Sequence, residues 1–354
     1  MNQLVQPCRD PHFTPEWFDL LQRTAIPDGS IATYYPVGPT YHPAASLLPM
    51  LRVARHPHKL KGLSTFYTPL YAPIHEDLLD FEALTGCFTQ LRKSASISII
   101  NLAPLDPDGH FFPAAFSALR QAGWLTDRYF CFGNWYALLE RPDFAAYFAS
   151  LPSQLRNTVK RARKKLDKER TFALVIQTQP DSGLGQAVDE FVMVYNHSWK
   201  RPEPYPDFIP ELCKLAAAQG WLRLGIVRLD GQPIAAQIWL VCAGTAYIVK
   251  LAYHRNYAKF SAGSVLTAHL MQHVIDIDKV MAIDYLIGDD RYKQDWTPLR
   301  RERHGIIAFN LRTVRGCLAA AQHFAGHFLH HRSLYDARRL PILPRSSTCQ
   351  SFPL

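Results

Sequence analysis

The chain reads as an α/β (α+β) protein, a mixed sheet flanked by helices, and three stretches carry that reading. Residues 95–139 run strand, helix, strand. Residues 222–253 alternate through three strands joined by short turns, and residues 263–287 follow as a helix and a short apolar strand. A length of 354 residues with 48% hydrophobic and 19% charged side chains supplies ample core and favours two domains over one.

In chain order, the first 60 or so residues are rich in proline and aromatics and predict no regular element. Residues 95–102 alternate as a strand, the loop Asp106-Pro-Asp-Gly109 follows, residues 112–122 read as a helix closed by Gly123, and residues 128–139 return as an aromatic strand. This is a βαβ unit, right-handed if its strands are parallel. Leu155, Val159, Ala162 and Leu166 recur at helical spacing and predict an apolar stripe beneath a cationic face. Residues 172–178 read as a strand and 185–199 as a helix. A proline-rich loop at 201–206 leads to a helix at 210–219, stopped by Gly220. Asp230-Gly231 is a hairpin signal between strands starting at Leu222 and Ile234, and Ala243-Gly244 turns the chain again into 245–253. Residues 263–275 are helical and 282–287 form a buried strand. No internal sequence repeat is visible.

The formal charge of +9 is concentrated. Residues 151–170 hold Arg156, Lys160, Arg161, Arg163, Lys164, Lys165, Lys168 and Arg170 against Asp167 and Glu169, an excess of six. The remaining surface is nearly balanced, which argues against a general nucleic-acid binder and for a local anionic partner. The uncharged run 234–249 falls short of the ~20 residues that span a membrane, and the N-terminus lacks a secretory pattern. Seven scattered cysteines with no CxxC spacing read as reduced thiols of a cytoplasmic protein. His323, His327, His330 and His331 share a C-terminal helical stretch without an accompanying Glu or Cys, so no metal is expected; an amphipathic helix is. The tail from Leu340 is expected to be loose.

The element order resembles that of the GNAT acyltransferase superfamily. Three segments resemble more narrowly its CelD-type acetyltransferase domain, related to the Fem peptidyltransferases. They are Leu151-Pro…Arg156…Val159-Lys-Arg-Ala-Arg-Lys-Lys-Leu166, then Tyr253…Lys259-Phe-Ser-Ala-Gly-Ser-Val-Leu266, then Asp284…Gly288-Asp-Asp…Tyr292-Lys293…Trp296. The resemblance covers roughly residues 144–297. Ala262 stands where the family usually has proline, Tyr285 where Phe is common, and the general GNAT phosphate loop is absent in register. The resemblance implies two tandem GNAT-like domains: a degenerate one at 1–143, a CelD-type acetyltransferase domain at 144–310, and a C-terminal helix and tail at 311–354.

It also implies acyl transfer from acetyl-CoA or another acyl-CoA to an amine, with the pantetheine arm between strands 247–253 and 282–287. Val249 and Leu251 would line that arm, and Lys259, Ser261, Ala262, Gly263 and Ser264 would take the phosphates at a helix N-terminus, a natural anion site. Asp284 is the candidate base or substrate anchor; its other reading is a structural acid paired with Lys293 or Arg291. Tyr292 and Lys293 would donate to the thioester oxygen, protonate the thiolate or hold phosphate, or else form a surface pair. Tyr195, His197 and Asp289 are the acceptor-side candidates, with core packing the alternative for Tyr195 and its neighbour Trp199. The acceptor would be a small molecule, glycan or protein amine, and the 156–168 helix would meet an acyl carrier or an anionic surface, including the inner membrane face. Two other readings stand beside this one. A Fem-like transfer from charged tRNA lacks the long helical arm several Fem enzymes insert, and a non-catalytic adaptor of polysaccharide or envelope assembly would keep the fold without turnover.

Overall fold

Thr14 accepts a hydrogen bond from the Trp17 N–H and Pro15 occupies the first turn, which starts α1 (Pro15–Thr24). The computed structural model describes residues 10–39, 46–169 and 171–337, with side chains up to residue 326. After α1 come β1 (Ile31–Pro36), β2 (Leu47–Arg52), β3 (Lys59–Gly62), α2 (Phe81–Lys93), β4 (Ile99–Leu105), α3 (Phe111–Gln121), β5 (Leu125–Leu138), α4 (Phe144–Ser150) and α5 (Ser153–Leu166). The chain continues through β6 (Ala173–Gln177), α6 (Gly183–Asn196), α7 (Phe208–Ala218), β7 (Leu222–Leu229), β8 (Gln232–Cys242), β9 (Thr245–Tyr253), α8 (Ala262–Asp276), β10 (Ala282–Asp284), α9 (Arg291–Trp296), β11 (Leu299–Phe309) and α10 (Val314–Ala337).

The eleven strands of the described residues join one mixed sheet in the order β1-β2-β3-β4-β11-β5-β10-β9-β8-β7-β6, flanked by helices as expected. Each half is a meander followed by a helical crossover to a parallel neighbour: β3 to β4 through α2, and β9 to β10 through α8. The strand that follows each crossover strand then changes sides. β5, which follows β4, pairs with β10, while β11, which follows β10, pairs with β4. β5 and β11 pair with each other from Leu125–Phe309 to Tyr136–Leu299. The two halves of the chain therefore complete each other's sheet.

Helices cover both faces. On one, α6 and α7 bury Phe191, Val194, Phe208 and Leu212 in the same core as Trp17, Leu224 and Ile238. On the other, α5 and α8 bury Val159, Ala162, Leu166, Leu266 and Leu270 with Trp239, Ile248 and Tyr285. The predicted α5 stripe lies in this core, its Leu155 half-buried and the others buried. Asp230 and Gly231, both at positive φ (52° and 74°), make the expected hairpin, and Ala243-Gly244 repeats it (49° and 71°).

Several expectations need correction. The strand predicted at 95–102 begins at Ile99, because residues 95 and 96 belong to a turn after α2. The βαβ strands β4 and β5 are parallel but not adjacent, since β11 lies antiparallel between them. Neither α2 nor β11 was anticipated. The predicted strand 282–287 stops at Asp284, where the chain turns through Leu286 (φ 54°) and Gly288 (φ 102°). Cys242 is disulfide-bonded rather than reduced, a pairing that sequence spacing alone does not reveal; Cys87, Cys131, Cys213 and Cys317 are free. Among the described residues no helix is long and apolar enough to cross a membrane.

Candidate active site between β9 and β10

The parallel pair β9–β10 is short. It registers Thr245 with Ala282, Ala246 with Ile283 and Tyr247 with Asp284, and goes no further. β9 continues through Tyr253, still paired with β8 on its other side, so from Ile248 onward its β10 flank is open. A register shift puts Lys250 opposite Ile238 and Ile248 opposite Trp239, leaving Val249 as the extra, bulged residue at the start of the open stretch. Leu251 lies two residues on, in the same unpaired run.

The open stretch leads to the start of α8. Ser261 is left-handed (φ 49°, ψ 37°) and its side chain makes no capping hydrogen bond. A left-handed residue entering a helix turns successive N–H groups toward one point, an anion nest, and a fifteen-residue helix adds its dipole there. Ala262 is buried. A Cβ built on Gly263 would meet Tyr253 carbons at 3.6 and 3.9 Å, ordinary contact distances, so nothing crowds this end of the helix. Ser264 donates its backbone N–H to the Ser261 carbonyl at 3.1 Å. Lys259 stands beside the Phe260 ring at 5.2 Å and Lys165 of α5 at 4.9 Å from the same ring, with the Lys165 ammonium donating to the Lys259 carbonyl at 3.1 Å. The end of the cationic helix thus meets the loop before α8. The residues present suit a phosphate group.

Asp284, at the parting point, is buried and fully engaged. Its Oδ1 accepts from Asn134 Nδ2 at 2.7 Å and from the Leu286 N–H at 2.6 Å, and its Oδ2 accepts from Arg301. Its partners are therefore neither Lys293 nor Arg291. Lys293 is 4% exposed. Its ammonium donates to the carbonyls of Ile287 (2.6 Å), Gly288 (3.2 Å) and Tyr285 (3.5 Å), and lies 3.3 Å from Asp290. This ammonium ties down the turn that ends β10. Burial lowers its pKa, and Asp290 partly offsets that. Tyr292 is 41% exposed and packs edge-on against Tyr285; burial, then Asp290, holds its hydroxyl in the protonated form. Asp289 is exposed and held by Arg300 Nη2 at 2.7 Å and Trp135 Nε1 at 2.8 Å, contacts that lower its pKa, the Arg300 bonds most.

On the face covered by α6, a cluster that the sequence reading missed gathers around Lys250. Its ammonium pairs with Glu203 Oε1 at 2.7 Å and lies 4.9, 5.0 and 5.5 Å from the ring centres of Phe66, Tyr67 and Tyr195. Tyr67 donates its hydroxyl to Glu203 Oε2 at 2.6 Å. Burial pushes the Glu203 carboxyl up, but the bonds from Lys250, Tyr195 and Tyr67 outweigh it and the pKa is lowered. Tyr195, predicted on the acceptor side, belongs to this cluster and is buried. Trp199 is exposed and packs on Tyr253. His197 stacks on His254 at 4.8 Å, with its Nδ1 2.9 Å from the Met193 carbonyl oxygen. A lone lysine in the apolar strand 245–253 was the available signal for this cluster; the Tyr67 segment offered none.

Next to the parting point a cavity of about 270 Å³ is lined by Asp10, His12, Asp106, Asn134, Tyr247, Asp284, Arg301 and Arg303, among others. It lies where β5, β9, β10 and β11 present alternate residues to one face. Of the predicted residues only Asp284 lines it.

Residues 153–294 match the family model described as an acetyltransferase (GNAT) domain. Over that segment the fold is that of a GNAT acetyltransferase domain. Along most of its length the chain is also similar to FemX, at 11% identity over 86% of this chain and 94% of that one, with a TM-score of 0.59. L-PGS from Bacillus licheniformis matches at 12% identity over 88% and 96%, TM-score 0.52. A conserved protein of unknown function from Bacteroides thetaiotaomicron VPI-5482 matches at 9% over 83% and 89%, TM-score 0.55. No curated protein matches the sequence. β9, β10 and α8 all lie within the matched segment. Among the described residues no group of three or more His, Cys, Asp or Glu could hold a metal ion. His323 lies 2.8 Å from Asp127, and the side chains of His327, His330 and His331, like the tail from Leu340, fall outside the described residues.

Proposed function

We propose that this protein is an acyl-CoA-dependent N-acyltransferase of the CelD type, moving an acetyl or other acyl group from a CoA thioester to an amine. One observation carries the reading: β9 and β10 part at Tyr247 and Asp284, and the gap leads to an uncapped helix N-terminus flanked by lysines. Acyl-CoA supplies the activated acyl group when bound. The open edge of β9, including Val249 and Leu251, offers backbone N–H and C=O groups to a pantetheine amide. The first turn of α8, with Lys259, binds phosphate.

Asp284 acts here as the anchor that holds β10, β5 and β11 at the point where the gap begins. Lys293 fixes the turn behind it, and the protonated, exposed Tyr292 is the donor to a developing oxyanion or leaving thiolate. Alignment of this kind contributes on the order of 7–11 kcal/mol to barrier reduction. Glu203, Tyr195 and Tyr67, with His197 nearby, form the acceptor side. The acceptor is a small-molecule, glycan or protein amine, and α5 faces an acyl carrier or an anionic surface on the cytoplasmic side.

A second reading, aminoacyl transfer from charged tRNA, draws support from the whole-length likeness to FemX and from the cationic face of α5. Calorimetric titration with acetyl-CoA and with desulfo-CoA, on the native protein and on Gly263→Trp, separates the two. Micromolar binding lost in Gly263→Trp supports the CoA reading. Absence of binding to either compound sinks it and brings forward tRNA, an acyl carrier or the adaptor role.

A further inference from the structure

Of the amines on or beside β9 and β10, two are spoken for. Lys293 is held by carbonyls and Asp290, and Lys250 by Glu203. Lys200, just past α6, is different. Its ammonium lies 5.7 Å from the Tyr195 ring centre and 5.7 Å from that of Trp199, and it makes no ion pair among the described residues. Lys250 stands over the same Tyr195 ring at 5.5 Å. Two ammonium groups thus share one ring, and Glu203 beside them is bound to one, Lys250. Cation–π contact attracts a cation but does not neutralise it.

Position matters as much as charge. Lys250 belongs to the part of β9 that β10 no longer covers, and Lys293 follows β10 on the far side of the gap. Lys200 shares the Tyr195 ring with Lys250, and its neighbour Trp199 packs on Tyr253 at 4.6 Å, so its amine lies beside the open stretch of β9. We infer that Lys200 is a self-acylation site, receiving the acyl group of a thioester seated between β9 and β10. This rests on the acyl-CoA reading. The neutral amine attacks the thioester carbonyl carbon, the C–N bond forms, and the C–S bond breaks. The proton lost from nitrogen goes to the CoA thiolate, so the products are an amide at Lys200 and free CoA thiol.

Burial first, then Lys250 and Lys293, lower the Lys200 pKa to about 8, against the pull of Glu203 and Asp290. Near pH 8 about half of it is free amine, against roughly one part in 300 for an ordinary lysine.

The test incubates the purified full chain with acetyl-CoA near pH 8, follows acetylation of each lysine peptide by mass spectrometry, and measures acetyl-CoA binding by calorimetry on the same sample. Acetylation of Lys200 is expected at least about tenfold faster than that of the exposed α5 lysines Lys160 and Lys164, at a rate independent of protein concentration. Binding of acetyl-CoA with Lys200 no faster than those two overturns the inference and leaves the acyl-CoA reading standing. No binding overturns that reading and this inference with it.

Discussion

Replacing the buried Asp284 with Asn keeps the side chain's shape and removes its charge. In the native chain one carboxylate gathers three donors: Asn134 Nδ2 at 2.7 Å, the Leu286 N–H at 2.6 Å and the Arg301 guanidinium. An amide can still accept from one or two of these through its oxygen, but its NH2 group then faces a donor. Hydrogen bonds to a charged group contribute about 1.5–3 kcal/mol, and breaking a buried ion pair costs about 3–5 kcal/mol. Arg301 is 35% exposed, so solvent relieves part of that loss. The expected destabilisation is about 2–4 kcal/mol. Urea unfolding followed by tryptophan fluorescence reads it as a lower midpoint with an unchanged m value. Arg301→Met should lose a comparable amount, and the double variant less than the sum, by about 1–2 kcal/mol of coupling. A change under about 0.5 kcal/mol in Asp284→Asn, the level of an ordinary surface substitution, would refute the anchoring role, as would additive behaviour of the pair.

Gly263→Ala should leave stability within about 0.5 kcal/mol, because the new Cβ meets Tyr253 at 3.6 Å, whereas the bulkier Gly263→Trp should abolish acetyl-CoA binding; calorimetry and thermal melts read the two together. Tyr285→Phe should hold or raise stability by up to about 1 kcal/mol in urea unfolding, since the buried Tyr285 hydroxyl has no hydrogen-bond partner among the described residues. Lys200 titrates near 8 when folded against 10.5 as its ordinary value. Between these pH values the unfolded chain binds more protons, so this group makes stability rise with pH across that window and opposes folding below it. The stability of Lys200→Met relative to the native chain should therefore be higher at pH 7 than at pH 10, by urea midpoints at both. Gly305→Ala, whose Cβ would come within 2.3 Å of the Tyr129 ring, should destabilise by about 1–3 kcal/mol in the same assay.

The legible parts of the site were those written within one segment. Ser261 to Ser264 could be placed at a helix start, and Asp284 at the end of a short strand, from local pattern alone. The partners of Asp284 were not legible. Asn134 and Arg301 lie on β5 and β11, and β11 reaches the middle of the sheet only because the two halves exchange their last strands. Glu203 and Tyr67 are 136 residues apart and meet at a hydroxyl–carboxylate bond; no spacing rule connects them.

The sequence by itself determined the elements whose physics is local. The α5 stripe follows from helical period, the Asp230-Gly231 turn from backbone freedom at positive φ, and the mixed strand–helix order from both. Tertiary structure decided where β9 and β10 separate, which amine keeps a counter-ion and which does not, and which strands complete the centre of the sheet. Those outcomes depend on distant segments competing for the same edge, carboxylate or ring. That competition is settled only when the chain is packed.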